Sequence, residues 1–70
     1  MDLRGKQIKV GELLDNPNSR AVFQRRFGKF MKHPMVGAAR SLSLAQLQEM
    51  AAVYIPQKTI QETLRELEQL

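Results

Sequence analysis

Cysteine is absent from this sequence. That excludes disulfides, cysteine-ligated zinc and thiol nucleophiles, and it leaves the redox compartment open. No run of about 18 apolar residues exists, so no segment is long and apolar enough to cross a bilayer as a helix. The opening stretch Met1-Asp2-Leu3-Arg4-Gly5-Lys6-Gln7 is polar and holds no apolar signal-peptide core, which makes a cytoplasmic location the expectation for the isolated chain. Glycine is sparse: Gly5, Gly11, Gly28 and Gly37 stand singly, and no phosphate-cradling loop can be assembled from them. Histidine occurs once, at His33, beside Lys32, Pro34 and Met35. Zinc needs three or four ligands, so the expectation is no metal, and His33 is read as a loop residue whose ring hydrogen-bonds a helix end.

What is present is a hydrophobic fraction of 43% in 70 residues. This suits one globular domain near the lower size limit for folding without a metal or disulfide. Four interruptions divide the chain: Asn16-Pro17, His33-Pro34, Ser41-Leu42-Ser43 and Ile55-Pro56. Each lies where a helix would start or stop. Residues 1–9 read as an extended or loose lead. Ile8 and Val10 alternate about Lys9 as in a strand, but a single strand has nothing to pair with. Residues 10–70 read as one helical domain. Val10–Asp15 makes one or two helical turns, where Gly11 costs about 1 kcal/mol against alanine, so burial of Leu13 and Leu14 must supply its stability.

Asn16 is a good N-cap and Pro17 a favoured first helical residue, so a helix is predicted from Pro17 to about Phe30. On it, Val22, Phe23, Phe27, Phe30 and Met31 gather on one side, and Arg25, Lys29 and Lys32 on the other. Gly28 marks either a close backbone approach or an early end. Proline at 34 disfavours helix at His33, and Pro34–Arg40 forms a short helix of small residues. Ser43 with Gln46 makes a capping box. The following helix carries Leu44, Leu47, Met50, Ala51 and Tyr54 on one face. Pro56 closes it and opens a last helix with Ile60, Leu64 and Leu67 as a narrow stripe. That one-sided helix could also pair with a second copy, and the sequence does not fix the oligomeric state.

The expected fold is therefore all-α: four or five short helices in an irregular bundle behind an extended N-terminal lead. The expected core is Leu13, Leu14, Val22, Phe23, Phe27, Phe30, Met35, Leu44, Leu47, Met50, Ala51, Ile60, Leu64 and Leu67. Met31, Met35, Met50, Phe23, Phe27, Phe30 and Tyr54 would also make a pliable ligand pocket. A bundle this small needs every large side chain for its core, which favours the core reading.

Catalytic residues are not evident. Ser19, Ser41 and Ser43 lie at helix starts, where capping explains them. Glu62, Glu66 and Glu68 lie on an exposed face, and a bundle of this size has little room for a water-excluded cleft. The expectation is no enzyme and no cofactor.

Charge is the remaining lead. Residues 1–40 hold nine basic residues against Asp2, Glu12 and Asp15, a net +6, and residues 41–70 hold Lys58 and Arg65 against Glu49, Glu62, Glu66 and Glu68, a net −2, within a chain total of +4. The imbalance fits a polyanion-binding face, mutual attraction of the two halves, or a plainly solvated face. No aromatic or glycine pattern accompanies the charge, which favours the second and third readings. The candidate contact residues are Arg20, Arg25, Arg26, Lys29 and Lys32. Ser43–Ala52 and Thr59–Glu68 about the turn at Pro56 outline a helix-turn-helix. Its second helix, however, offers Glu62, Glu66 and Glu68 against only Lys58 and Arg65, and carboxylates repel phosphates. The connector Val53-Tyr54-Ile55-Pro56 also lacks the usual glycine.

Several motifs carry a family resemblance. They are Ile8-x-Val10-Gly11-Glu12-Leu13-Leu14-x-x-Pro17, Ala21-Val22, His33-Pro34-Met35-x-x-x-Ala39-Arg40-x-x-Ser43-Leu44 and Thr63-Leu64-x-x-Leu67. Over about residues 8–70 the chain resembles a small helical domain found as a C-terminal tail on bacterial glycoside hydrolases and other hydrolases. More distantly it is similar to the helical N-terminal domain of iron–sulfur cluster repair proteins. The distant relative has cysteines near the middle of the domain, where this chain has His33-Pro34-Met35, so no redox role transfers. The tail resemblance implies an accessory module that packs on a neighbouring domain, and it supplies no catalytic residues. The leading expectation is thus a non-catalytic accessory or protein-interaction module whose basic residues meet an acidic partner. The alternative is a small nucleic-acid-binding protein using the same basic face.

Overall fold

A leucine and an isoleucine near the N-terminus, Leu3 and Ile8, are both buried, and the chain between them has to turn to allow it. The computed structural model, which describes residues 1–70, shows how. Arg4, Gly5 and Lys6 all take positive φ (53°, 63° and 72°) and wind one left-handed 3-10 turn. The amides of Lys6 and Ile8 both donate to the Leu3 carbonyl, at 2.9 and 3.3 Å. Gly5 takes this conformation freely, whereas Arg4 and Lys6 carry a side-chain clash with their own backbone. Residues 1–9 are thus a shaped, anchored lead.

The strand-like stretch Ile8–Val10 does have a partner. Lys9 bridges Ser43 in antiparallel fashion. The Val10 amide donates to Leu42 O and the Leu44 amide to Ile8 O, both at 2.9 Å. These bonds join the lead to the segment that opens the fourth helix, across a sequence distance that no local pattern reveals.

Five α-helices follow: α1 (Val10–Asp15), α2 (Pro17–Met31), α3 (Met35–Ala39), α4 (Leu44–Ala51) and α5 (Gln57–Glu68). A helix leaves its first amides without partners inside the helix, and three of the starts here solve that differently. In α1 the N-cap Lys9 offers no side-chain acceptor; the Val10 and Gly11 amides instead reach the carbonyls of Leu42 and Arg40. In α2 the Asn16 side chain accepts from the Asn18 amide at 2.9 Å, with Pro17 at the first helical position. In α4 the Ser43–Gln46 capping box is complete. Gly11 is the glycine that a close approach requires: a Cβ there would sit 3.1 Å from Arg40 O. Gly28 faces open space, but the helix kinks immediately before it, where Phe27 has φ −132° and ψ 33°.

The core comprises Leu3, Ile8, Val10, Leu13, Leu14, Val22, Phe23, Leu44, Ile60, Leu64 and Leu67. Helix α2 packs against α1 on one side and α5 on the other. Phe27, Leu47 and Ala51 pack on its margin. Three expected core residues lie outside it: Phe30, Met35 and Met50 are 55%, 56% and 52% exposed. Leu3, Ile8 and Val10 take core positions that the helical pattern did not assign, and of the last turn of α2 and α3 it is Met31 and Val36 that pack against the core. Tyr54 also departs from expectation. Helix α4 stops at Ala51, so Tyr54 leaves its apolar face and is 81% exposed, while Ile55 turns back toward the core.

Candidate functional site

Four of the five basic candidates lie on α2 and Lys32 caps its end, and the five do not form one free surface. Arg25 and Arg26 are on the side of α2 that meets α5. Both guanidiniums converge on one carboxylate, Glu66, with Arg26 Nε 2.7 Å from its Oε1. Arg26 Nη1 also lies 3.9 Å from Glu62. The Arg26 and Glu66 side chains are each about three-quarters buried, so the pair is partly shielded from water. Glu66 is therefore an internal clamp and not part of an exposed acidic face as its spacing suggested. A shallow, wholly polar groove runs between the two helices here, lined by Arg25, Arg26, Glu62, Arg65, Glu66 and Gln69. Arg20, Lys29 and Lys32 are exposed and make no ion pair. Of the other cations, Arg4 pairs with Glu12 and Arg40 with Asp15.

Buried polar side chains number three, Ser19, Ser43 and Thr63, and each is held by a structural bond. Ser43 caps α4, and Thr63 Oγ1 donates to Thr59 O at 2.7 Å within α5. Ser19 has a subtler task. The Leu13 carbonyl near the end of α1 would ordinarily accept from the residue four places on, but that residue is Pro17, which has no amide hydrogen. Ser19 Oγ donates to it instead. No group of three or more His, Asp or Glu is placed to hold a metal ion. His33 lies in the α2–α3 turn, where its Nδ1 accepts from the Met35 amide at 3.1 Å, as a helix-end hydrogen bond.

The surface features that sequence spacing missed are apolar. Val53 (79% exposed) and Tyr54 form a projecting turn between α4 and α5, with Met50 one turn earlier. Phe30 and Met35 flank the α2–α3 turn. A signal for the first group was present. Met50-Ala51-Ala52-Val53-Tyr54-Ile55 is six apolar residues in a row, and a helix packed on one side cannot hide six consecutive positions. For the second group the signal was the length of the α2 stripe, from Val22 to Met31, against a partner helix whose own apolar stripe ends at three residues.

No family model matches this chain, and no curated protein or solved structure matches it.

Proposed function

We propose that this chain is a non-catalytic accessory or protein-interaction module, of the kind that its resemblance to the tails of bacterial hydrolases implies. The observation that carries this reading is the exposure of Phe30, Met35, Met50, Val53 and Tyr54 in so small a domain. Single exposed apolar residues are ordinary on protein surfaces. Here the fold leaves outside large side chains that its small core has every energetic reason to bury, and groups of this kind mark contact surfaces. The basic residues Arg20, Lys29 and Lys32 then serve as rim contacts that steer an acidic partner.

Nucleic-acid binding is the alternative. It loses force because two of its five cations, Arg25 and Arg26, already neutralise Glu62 and Glu66. A photo-crosslinking residue at position 54 tests the two readings in the native host. Discrete protein adducts that survive nuclease support the module. Adducts removed by nuclease, together with a steep salt dependence of duplex binding, support the alternative. No adduct at position 54 or position 30 overturns the module.

A further inference from the structure

Helix α2 carries apolar and basic residues along its whole length, yet only part of each set is covered. Over its first three turns Val22 and Phe23 are buried, and Arg25 and Arg26 are clamped by Glu66. The covering elements are α1 and α5, and α5 is an amphipathic helix whose Ile60, Leu64 and Leu67 are buried while Glu62 and Glu66 meet the arginines. Past the kink at Phe27 the same chemistry repeats: Lys29 lies four residues after Arg25, and Phe30 seven after Phe23. In this last turn Phe30 is more than half exposed and Lys29 is unpaired. The chain then folds over a tight turn, in which the His33 amide donates to Phe30 O and the Met35 amide to His33 Nδ1. That turn carries Lys32 and leads directly into the exposed Met35 at the start of α3.

The charge here is of one sign. Residues 16–48 contain no Asp or Glu. The acids that reach this region from elsewhere are committed to Arg25, Arg26 and Arg40. Lys29 and Lys32 therefore frame an apolar corner with no internal counter-ion.

We infer that this corner, the last turn of α2 with the α2–α3 turn, is a docking surface for an acidic amphipathic helix of a protein partner. The inference rests on the interaction-module reading and names its site and the partner's chemistry. The partner would repeat what α5 does one turn earlier. Apolar residues at i, i+3 or i+4 cover Phe30 and Met35, and flanking Glu or Asp meet Lys29 and Lys32. A bare polyanion matches the lysines but leaves Phe30 and Met35 wet, which is why a helix with an apolar stripe is the better fit.

The test uses the full chain, labelled with nitrogen-15, and three probes. These are a helical peptide of about 18 residues with leucines on one face and glutamates flanking them, its twin with lysines for the glutamates, and phosphatidylglycerol vesicles. The acidic peptide is expected to shift the amides of residues 28–36. K29E/K32E and Phe30→Ser should each weaken its binding about tenfold or more, and Gln61→Ser, at an exposed position on α5, should leave it unchanged. The substituted side chains are exposed, and the unchanged remainder of each variant's spectrum verifies the fold. Equal binding of the lysine twin, or binding of vesicles but not of the acidic peptide, overturns the inference. Shifts confined to residues 50–55 with loss in Tyr54→Ser also overturn it while leaving the module reading intact. Absence of any shift, alongside protein crosslinks at position 54, separates failure of this corner from failure of the module.

Discussion

Single residues in this fold act mainly by completing the hydrogen bonding of the backbone. Ser19 is the sharpest case, because Pro17 deprives the buried Leu13 carbonyl of its helical donor and only the Ser19 hydroxyl replaces it. Ser19→Ala leaves that carbonyl without a partner, and a buried polar group so orphaned costs about 1–3 kcal/mol. Denaturant unfolding is expected to show a lower midpoint with an unchanged slope. The glycines separate by the same logic. A Cβ added at Gly28 would meet no atom within 4 Å, so Gly28→Ala gains helix propensity unopposed. It should stabilise by about 0.5–1 kcal/mol, a rise of several degrees in Tm for a domain of this size. At Gly11 the same substitution sets a methyl 3.1 Å from Arg40 O, the carbonyl to which the Gly11 amide donates. Gly11→Ala should therefore show no gain and a lower Tm than Gly28→Ala. Equal thermal shifts for the two would mean that the contact between α1 and Arg40 is soft.

Elements were legible where their signals are local. Asn16-Pro17 and Ser43–Gln46 mark the starts of α2 and α4 because caps act within four residues, and the stripe Ile60, Leu64, Leu67 marks the buried face of α5. The lead was not legible. Its left-handed turn at Arg4–Lys6 goes against residue preference at two positions, and its pairing partner lies more than thirty residues away at Leu42–Leu44. The lead supplies Leu3 and Ile8 to the core, contacts that the helical pattern could not contain, while Phe30 and Met35 stay outside it. The same apolar stripe accordingly predicts unequal costs along α2. Phe23→Ala removes a buried ring and should cost about 3–5 kcal/mol, enough to unfold a domain this small. Phe30→Ser, one helix repeat further on, should change stability by about 0.5 kcal/mol or less. Circular dichroism melts of the two variants check the contrast, and a Phe30 variant as damaged as the Phe23 one would place Phe30 back in the core.

At the scale of the whole molecule, the charge imbalance between the two halves has a structural outlet in the clamp between α2 and α5. The sequence showed the imbalance but not which of its uses applied, because net charge carries no geometry. The five basic candidates carry the same charge, and the packing of α5 divides them into two that are committed, Arg25 and Arg26, and three that are free. The clamp makes a prediction about salt with a definite sign. A chain of net +4 repels itself, so salt alone would stabilise it by screening. The clamp opposes this, since screening also weakens the attraction of Glu66 for Arg25 and Arg26. Exposed pairs couple by about 0.2–1 kcal/mol, and the Arg26–Glu66 pair, with both side chains largely covered, belongs at the upper end of that range. The Arg40–Asp15 pair, with side chains 44% and 71% exposed, belongs at the lower end. Double-mutant cycles to alanine in urea measure both couplings directly. The Arg26–Glu66 coupling should exceed that of Arg40–Asp15 at low salt and shrink toward it near 1 M. Glu66→Gln, having lost the attraction but kept the repulsion, should be stabilised by added salt more than the parent chain is. Equal responses would mean that the halves are held together by the apolar contact of Ile60, Leu64 and Leu67 alone.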